Sequence, residues 1–227
     1  MINSFLTLST PFPVEHRLVY VWPALNWPRH GEDPDLIGPE LGRCVDFILA
    51  CHPDVRGLIH SVSYSRSKQL ERFCRSPRLI LHTEKEGDFD RALQTLFATP
   101  GGVLVSPRAT EGVDLKGDRS EFQVFIKIPF LFWGDERVQQ RARVNKTWYA
   151  LTAATNLIQG CGRSVRNMHD IAPTYVLDAK WGWWFRANEN LFPPYFKDAL
   201  AAAERHPAGV RLQPCSSPSY AKFKEHP

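Results

Sequence analysis

The sequence predicts an α/β fold in which one open, mostly parallel sheet has helices on both faces. Short apolar runs alternate along the chain with segments whose apolar residues recur at helical spacing, as a parallel sheet requires. The apolar run at 102–106 leads directly into a small, polar loop, which is typical of the carboxyl end of a buried strand. The chain has 227 residues, of which 43% are hydrophobic and 23% charged, enough for one large domain with a proper core.

The first part of the chain predicts three strands and two helices. The run RLVYVW indicates a strand at 17–22, and aliphatic residues at helical spacing then predict a helix over 35–51. The run GLIHSV indicates the next strand at 57–62, followed by a polar helix over 65–75. The short run RLILH predicts a third strand at 78–82.

The second part continues the alternation. The segment DFDRALQTLFAT predicts a helix over 88–99 with Asp88 as its N-cap, because a carboxylate can accept from the free N–H groups of a first turn. Strands follow at 102–106 and 122–128. A long helix over about 135–166 and the strand TYVLD at 174–178 complete the set.

Two aromatic clusters suggest base stacking but favour packing. The run WGWWF at 181–185 has too many rings for all of them to face one ligand, so core packing after the last strand is the better interpretation. For the same reason we expect Phe130, Phe132 and Trp133 to seat a loop. Residues 206–227 contain four prolines and a Ser-Ser-Pro-Ser run, which predicts a loosely ordered tail.

Composition is compatible with nucleic acid as a partner but does not establish it, since the formal net charge is only +4. Four basic residues fall close together, and they form either a patch that follows phosphates or a solvated helix face: Arg137, Arg141, Arg143 and Lys146. Five scattered cysteines without a CxxC pair argue for a reducing compartment and against a zinc or disulfide framework. No signal peptide or membrane-length apolar stretch is visible, so a cytoplasmic location is the default.

The segment QGCGRSVR at 159–166 is the most informative part of the chain. Gln159, Arg163 and Arg166 stand at i, i+4 and i+7, so a helix would present all three on one face. Two arginines one turn apart repel each other unless an anion lies in front of them, and the guanidinium suits phosphate oxygens. The alternative is an exposed helix end whose arginines pair with Asp170 or neighbouring acids.

The loop after strand 102–106 adds groups that a ligand could use. Gly112 can adopt a positive φ or bring its backbone against a ligand, and Thr110 and Asp114 flank it with a hydroxyl and a carboxylate. Ligands bind beyond the carboxyl ends of strands in open α/β sheets. A plain turn between strand and helix would also explain any one of these residues.

Together these segments resemble motifs V and VI of superfamily-2 helicases of the DinG/XPD branch. LIHSVSYS at 58–65 is similar to motif IV. The stretches at 110–130 and 162–178 resemble the family's sequence pattern almost continuously. LFPPYFKDAL at 191–200 is similar to its closing helix. Four motifs in the right order imply the second, C-terminal motor domain of an ATP-driven DNA helicase, with a RecA-like fold.

The resemblance also implies domain limits. Residues 1–16, which include LSTPFP, look like the family's inter-domain connection, and 17–205 would form the RecA-like domain. Met1 falls just past the place where a first motor domain would end.

The resemblance implies two sites. ATP with Mg²⁺ would be bound mainly by a first motor domain, while Arg166, with Arg163 beside it, would act as the arginine finger. Gln159 would orient that face, and Gly112 and Asp114 would line the cleft. The second site would be half of a groove for single-stranded DNA. Its hydroxyls or backbone N–H groups would come from two segments: Ser63 and Tyr64, and Ser106 and Thr110.

The chain lacks the residues that bind the triphosphate from the other side. Its single GxxxxG, from Gly112 to Gly117, continues with Asp118-Arg119 instead of the lysine and hydroxyl of a P-loop. Asp135-Glu136 imitates an acidic strand end, but Pro129 and Gly134 break the strand first, so a magnesium role is not favoured. The family's iron–sulfur cluster belongs to the first motor domain, and nothing here would ligate it.

Three functions therefore stay open from the sequence. The chain could be a helicase subunit or fragment that is inactive until a first motor domain is supplied, in cis or as a separate chain. It could be a non-catalytic nucleic-acid-binding module that kept the fold. It could also be a truncated remnant of a helicase with no independent role.

Overall fold

The protein forms one six-stranded sheet, seen in a computed structural model that describes residues 10–28, 31–109, 115 and 117–205. All paired strands are parallel, in the order β1-β6-β5-β2-β4-β3. The strands are β1 (Val19–Leu25), β2 (Gly57–His60), β3 (Leu79–Leu81), β4 (Val103–Ser106), β5 (Phe122–Phe125) and β6 (Thr174–Asp178). The predicted α/β class with an open parallel sheet is confirmed.

Seven α-helices accompany the strands in the described part of the chain. They are α1 (Gly38–Cys51), α2 (Tyr64–Phe73), α3 (Asp88–Ala98), α4 (Glu136–Val144), α5 (Lys146–Cys161), α6 (Trp181–Asn188) and α7 (Pro194–Arg205). The strands start or end one to three residues from the predicted limits, except β6, which matches them. The predicted strand 122–128 is the one that shortens most at its carboxyl end, since it stops at Phe125.

Alternation along the strands builds a core on each face of the sheet. In β6, Tyr175 and Leu177 point into the core beneath α1, whereas Val176 points to the opposite face and packs with α5 and α6. A third apolar cluster on that opposite face lies under α3 and includes Leu58 and Leu104. Helices therefore cover both faces, as the sequence predicts.

Helix α7 closes the edge of the sheet at β1. Phe196 and Ala199 pack into the core with α5 and α6, while Ala203 reaches the core on the α1 side. Arg17, just before β1, donates from its guanidinium to the Tyr195 carbonyl at 2.6 Å. An edge strand covered by a helix cannot pair with another chain.

Two predictions about helices are wrong. The long helix over 135–166 is two helices, because Asn145 stops α4 and caps α5, its carboxamide oxygen accepting from the N–H groups of Thr147 and Trp148. The N-cap of α3 is Gly87, in the left-handed region with φ 70°, and not Asp88. Asp88 instead accepts from the Thr83 N–H at 2.5 Å and pairs with Arg91.

The aromatic clusters divide between core and surface. Trp181 and Trp184 are buried, so the packing interpretation of the 181–185 run is confirmed for them. Phe130 also packs, with its ring stacked on Tyr149. The same expectation is wrong for Phe132, whose side chain is 79% exposed.

Trp184→Ala is expected to lower the free energy of unfolding by about 3–5 kcal/mol, because it empties a fully packed core position. Trp183 lies on the same helix but is 56% exposed. Trp183→Ala is the matched control and should change stability by less than about 0.5 kcal/mol. Urea denaturation of both variants checks the prediction, and equal losses would contradict this account of the core.

Candidate functional site

The arginine segment is a loop and not a helical face. Helix α5 ends at Cys161, so Gln159 lies in its last turn and Arg163 and Arg166 follow it. The predicted common face for the three side chains is therefore wrong. Glycines have low helix propensity, and at Gly162 the N–H donates to the Ile158 carbonyl as the chain turns away.

One carboxylate organises this loop. An oxygen of Asp170 accepts from the backbone N–H groups of Arg166 at 2.7 Å and Asn167 at 2.8 Å. The other oxygen accepts from the Gly117 N–H at 3.0 Å and from the Asn167 carboxamide. Burial alone would raise the pKa of Asp170, but these N–H donors outweigh burial and hold that pKa below its usual value. Asp170 thus fixes the backbone on which Arg166 stands.

The loop is also tied to the segment that precedes β5. The hydroxyl of Ser164 donates to that of Ser120 at 2.7 Å, and both side chains are fully buried. Together with the bond to Gly117, this pairing makes the loops before β5 and β6 a single unit at the amino edge of the sheet. Thr110, Gly112 and Asp114, predicted as ligand groups of the preceding segment, lie outside the described residues.

Arg166 is exposed on this unit, and Arg163 is half-buried. Arg166 lines a pocket of about 360 Å³ together with Arg17 and Tyr195. The backbone N–H of Arg166 is one of the four donors to Asp170, and the Arg166 side chain is exposed.

A buried amide and imidazole connect the end of α5 to the middle of the sheet. The carboxamide of Gln123 donates to the Cys161 carbonyl at 2.9 Å, and its oxygen lies 3.0 Å from His60 Nε2. Burial is the main reason that the pKa of His60 is lowered to about 4. The charge of Arg163 lowers this pKa further, whereas the hydrogen bond to Gln123 raises it. His60 is therefore neutral at pH 7, with its proton on Nε2.

The carboxyl edge of the sheet carries the second set of candidate residues. Ser63 is the N-cap of α2, its hydroxyl accepting from the Arg66 N–H at 3.3 Å, and it is exposed. The preceding residue, Val62, has φ 68°, a left-handed conformation that costs a β-branched residue about 1–3 kcal/mol. This turn joins the carboxyl end of β2 to the first turn of α2, whose first N–H groups have no partner within the helix.

Ser106 lies at the same edge but is fully buried. Its hydroxyl accepts from the Arg108 N–H at 3.1 Å and lies 2.9 Å from His82 Nδ1. The other nitrogen of His82 lies 3.3 Å from the hydroxyl of Tyr64, which is half-buried. The Ser106 hydroxyl is thus used within the fold, and its contribution to a phosphate site would be to position Arg108, which is exposed.

Sequence reasoning missed a cluster of cations at this edge. The guanidinium of Arg66 lies 4.0 Å from the ring of Trp27, and Lys127 Nζ lies 5.7 Å from the same ring. Burial lowers the pKa of Lys127, and the charge of Arg66 lowers it further. Two cations over one indole make this part of the edge electropositive.

One carboxylate interacts electrostatically with both of these cations. Asp178, at the end of β6, is buried and accepts from the N–H groups of Ile128 at 3.0 Å and Lys180 at 2.9 Å. Burial raises its pKa. Charged residues directly after β5 and at the end of β6 could have revealed this cluster, because carboxyl ends of parallel strands share one edge.

The basic residues between β5 and α5 form an exposed surface. Arg137 pairs with Asp135 at 3.2 Å, and Arg141 lies 4.4 Å from the ring of Trp148. Asp135 is the N-cap of α4 and accepts from the Arg137 N–H. Its carboxylate is thus used as a helix cap.

The comparisons with known proteins agree with this geometry. The family model for the helicase C-terminal domain matches residues 49–197, so the chain belongs to that family. No curated protein matches. In the part of the chain that the structure describes, no helix is long and apolar enough to cross a membrane.

Solved XPD structures share the fold. An apo XPD structure is 15% identical with a TM-score of 0.58, covering 76% of this chain and 38% of its own. An XPD helicase is 16% identical with a TM-score of 0.56, covering 76% and 34%. Xpd4 of S. tokodaii is 14% identical with a TM-score of 0.56, covering 84% and 41%. The matched region is thus about a third to two fifths of each of these chains, and their fold is that of a DinG/XPD-like motor domain.

Asp170→Asn is expected to lower the free energy of unfolding by about 1–3 kcal/mol at neutral pH, because the charged acceptor of the loop is lost. Since the pKa of Asp170 is depressed in the folded state, its contribution is present above the unfolded pKa of about 3.9 and is lost as the pH falls through the folded pKa. Urea denaturation against pH should show the difference from the native chain shrinking below about pH 4. The exposed Asp90→Asn is the control, and a pH-independent difference for Asp170→Asn would contradict the prediction.

Proposed function

We propose that this chain is the C-terminal motor domain of an ATP-dependent DNA helicase. It supplies an arginine finger and half of a groove for single-stranded DNA, and it hydrolyses ATP only with a P-loop-bearing first domain, in cis or as a separate chain. The observation that carries the proposal is the loop held by Asp170, which presents Arg166 from a rigid backbone in a chain of this helicase family. ATP hydrolysis needs such a preorganised cation where charge develops.

On the nucleotide side, Arg166 neutralises charge on the γ-phosphate during transfer, and Arg163 contributes beside it. Gln159 helps to orient this surface, and Gly112 and Asp114 line the cleft. The P-loop domain binds Mg²⁺ and most of the triphosphate. This division of labour makes Arg166 important for turnover more than for nucleotide affinity, because its contact strengthens in the transition state.

On the DNA side, the strand follows the carboxyl edge. Ser63 and the first turn of α2 offer N–H groups to a phosphate, and Ser106 positions the exposed Arg108. Tyr64 and Thr110 contribute hydroxyls or N–H groups to the same groove in this proposal. The cations Arg66 and Lys127 add attraction that does not depend on sequence.

A non-catalytic nucleic-acid-binding module is the second candidate. It is favoured by the cation cluster, because Arg66, Lys127 and the cap at Ser63 are assembled within this chain. Such a module binds DNA without nucleotide, and the next experiment separates the two functions.

The isolated chain is expected to release phosphate from ATP no faster than a blank with single-stranded DNA present. With a P-loop domain supplied, by fusion or in trans, the pair should hydrolyse ATP, and Arg166→Ala should lower turnover by about 10³–10⁵. Arg166→Lys should not restore it fully, since a point charge cannot replace the planar fork. The exposed Arg186→Ala is the matched control. Near-normal turnover of Arg166→Ala would refute the arginine finger, whereas a pair that hydrolyses no ATP but binds DNA would favour the binding module.

Binding of single-stranded DNA by the chain is expected to be weak, indifferent to sequence and sensitive to salt. Lys127→Gln should weaken it and lower the slope of log K against log salt by about 0.7, the value for one phosphate contact on a single strand. Thr110→Ala should also weaken binding, whereas Arg166→Ala should leave it nearly intact. Fluorescence anisotropy with a labelled oligonucleotide measures these changes, and Lys197→Gln on α7 is the control. Binding that ignores salt would contradict the groove.

A further inference from the structure

A pocket opens at the carboxyl edge between the turns that follow β2, β4 and β5. Its volume is about 250 Å³. Its lining includes apolar residues from each turn and two polar side chains: Val62, Pro107, Phe130 and Phe132, with His60 and Asn156. The residues that flank it in sequence, Ser63 and Arg108, are exposed candidates for phosphate contacts.

Phe132 is the exposed wall of this pocket. Its side chain is 79% exposed, although the nearby Phe130 is half-buried and packs against the core. The Phe132 ring lies over Gly134, where an added Cβ would stand 2.3 Å from the ring. The absence of a side chain at Gly134 therefore lets the ring occupy its place at the pocket.

Two further features of the pocket are not explained by the fold. His60 Nδ1 is a buried acceptor, and it has no hydrogen-bond partner among the residues that the structure describes. Val62 keeps a left-handed backbone although a valine is strained there. Buried unsatisfied groups and strained residues are concentrated at ligand sites.

The chemistry of the surroundings identifies the occupant. The first turn of α2 after Ser63 and the exposed Arg108 attract an anionic backbone on either side of the pocket. An exposed phenyl ring above a small apolar recess suits a flat, uncharged aromatic group. A chain that alternates phosphates with such groups is a single-stranded nucleic acid, and in the proposed function that strand is DNA.

We propose that this pocket receives one unpaired nucleobase of the bound strand, which stacks on Phe132 while Asn156 lies at its edge. The proposal rests on the strand groove of the proposed function and adds to it a base-dependent contact. If the chain contacted only the DNA backbone, it would bind a strand with bases and an abasic strand equally well. A base pocket instead gives higher affinity for the strand that carries bases. Duplex DNA is disfavoured, because a paired and stacked base enters a pocket only after flipping, at a cost of a few kcal/mol.

The test compares two ligands with the same backbone. Anisotropy gives the affinity of the full chain for an oligothymidylate of about 15 nucleotides and for an abasic strand of equal length. The native chain should prefer the thymidylate by about tenfold, and Phe132→Ala should lower this preference by about five- to tenfold while leaving abasic affinity unchanged. Gly134→Ala, which displaces the Phe132 ring without removing it, should also lower the preference for thymidylate over the abasic strand.

Phe97→Ala is the matched control, since Phe97 is a partly exposed phenylalanine on α3. It should leave both affinities unchanged. The base pocket is refuted if Phe132→Ala weakens binding of both ligands equally, or if it weakens binding of neither ligand. If Phe132→Ala instead changes self-association in sedimentation, the ring serves a protein interface and the proposal is also refuted. If the native chain binds neither ligand, the failure lies in the strand groove of the proposed function.

Discussion

The arrangement of the candidate site depends on the carboxylate of Asp170. Its two oxygens accept four hydrogen bonds, from Arg166, twice from Asn167 and from Gly117. These bonds join the loops before β5 and β6. They fix the backbone of the segment that follows α5 and carries Arg166. A buried carboxylate is stable there because N–H donors replace the water that it loses. In the proposed function, the position of the arginine finger follows from this one acceptor.

The two sites lie at opposite edges of the sheet and share a buried connection. The loop of Arg166 is at the amino edge, and Ser63 is at the carboxyl edge. Gln123 bonds to the carbonyl of Cys161 on one side and to His60 on the other, and His60 is the last residue of β2, three positions before Ser63. We hypothesise that closure of a nucleotide cleft is transmitted through strand β2 to the residues proposed to bind DNA. Double-mutant coupling would test this hypothesis.

The sequence predicted the fold well because apolar periodicity depends on local spacing. The strand TYVLD was predicted to the residue, and helix α1 was displaced only at its start. Side-chain capping was less predictable. Asn145 divides the predicted long helix, and Gly87 rather than Asp88 caps α3, because competing local donors decide such ends.

The candidate site was predictable only in part. Motifs pointed to the arginines and to Ser63 as site residues, and that assignment stays a prediction. Their geometry could not be predicted, since the helix ends before Arg163. The position of Lys127 directly after β5 indicates the carboxyl edge, but the contact of Arg66 and Lys127 with the ring of Trp27 joins segments far apart in sequence and could not be predicted. Phe132 was expected to seat a loop because a cluster of rings cannot all face one ligand, but its side chain is exposed in the folded chain.

The central claim is that Asp170 acts on hydrolysis through Arg166. The most direct test is a double-mutant cycle of Asp170→Asn and Arg166→Ala, with DNA-stimulated turnover measured in the chain joined to a P-loop domain. The account predicts that Asp170→Asn lowers turnover in the native background but has little further effect once Arg166 is alanine. Independent, additive losses would contradict it, because Asp170 would then serve stability without positioning the arginine.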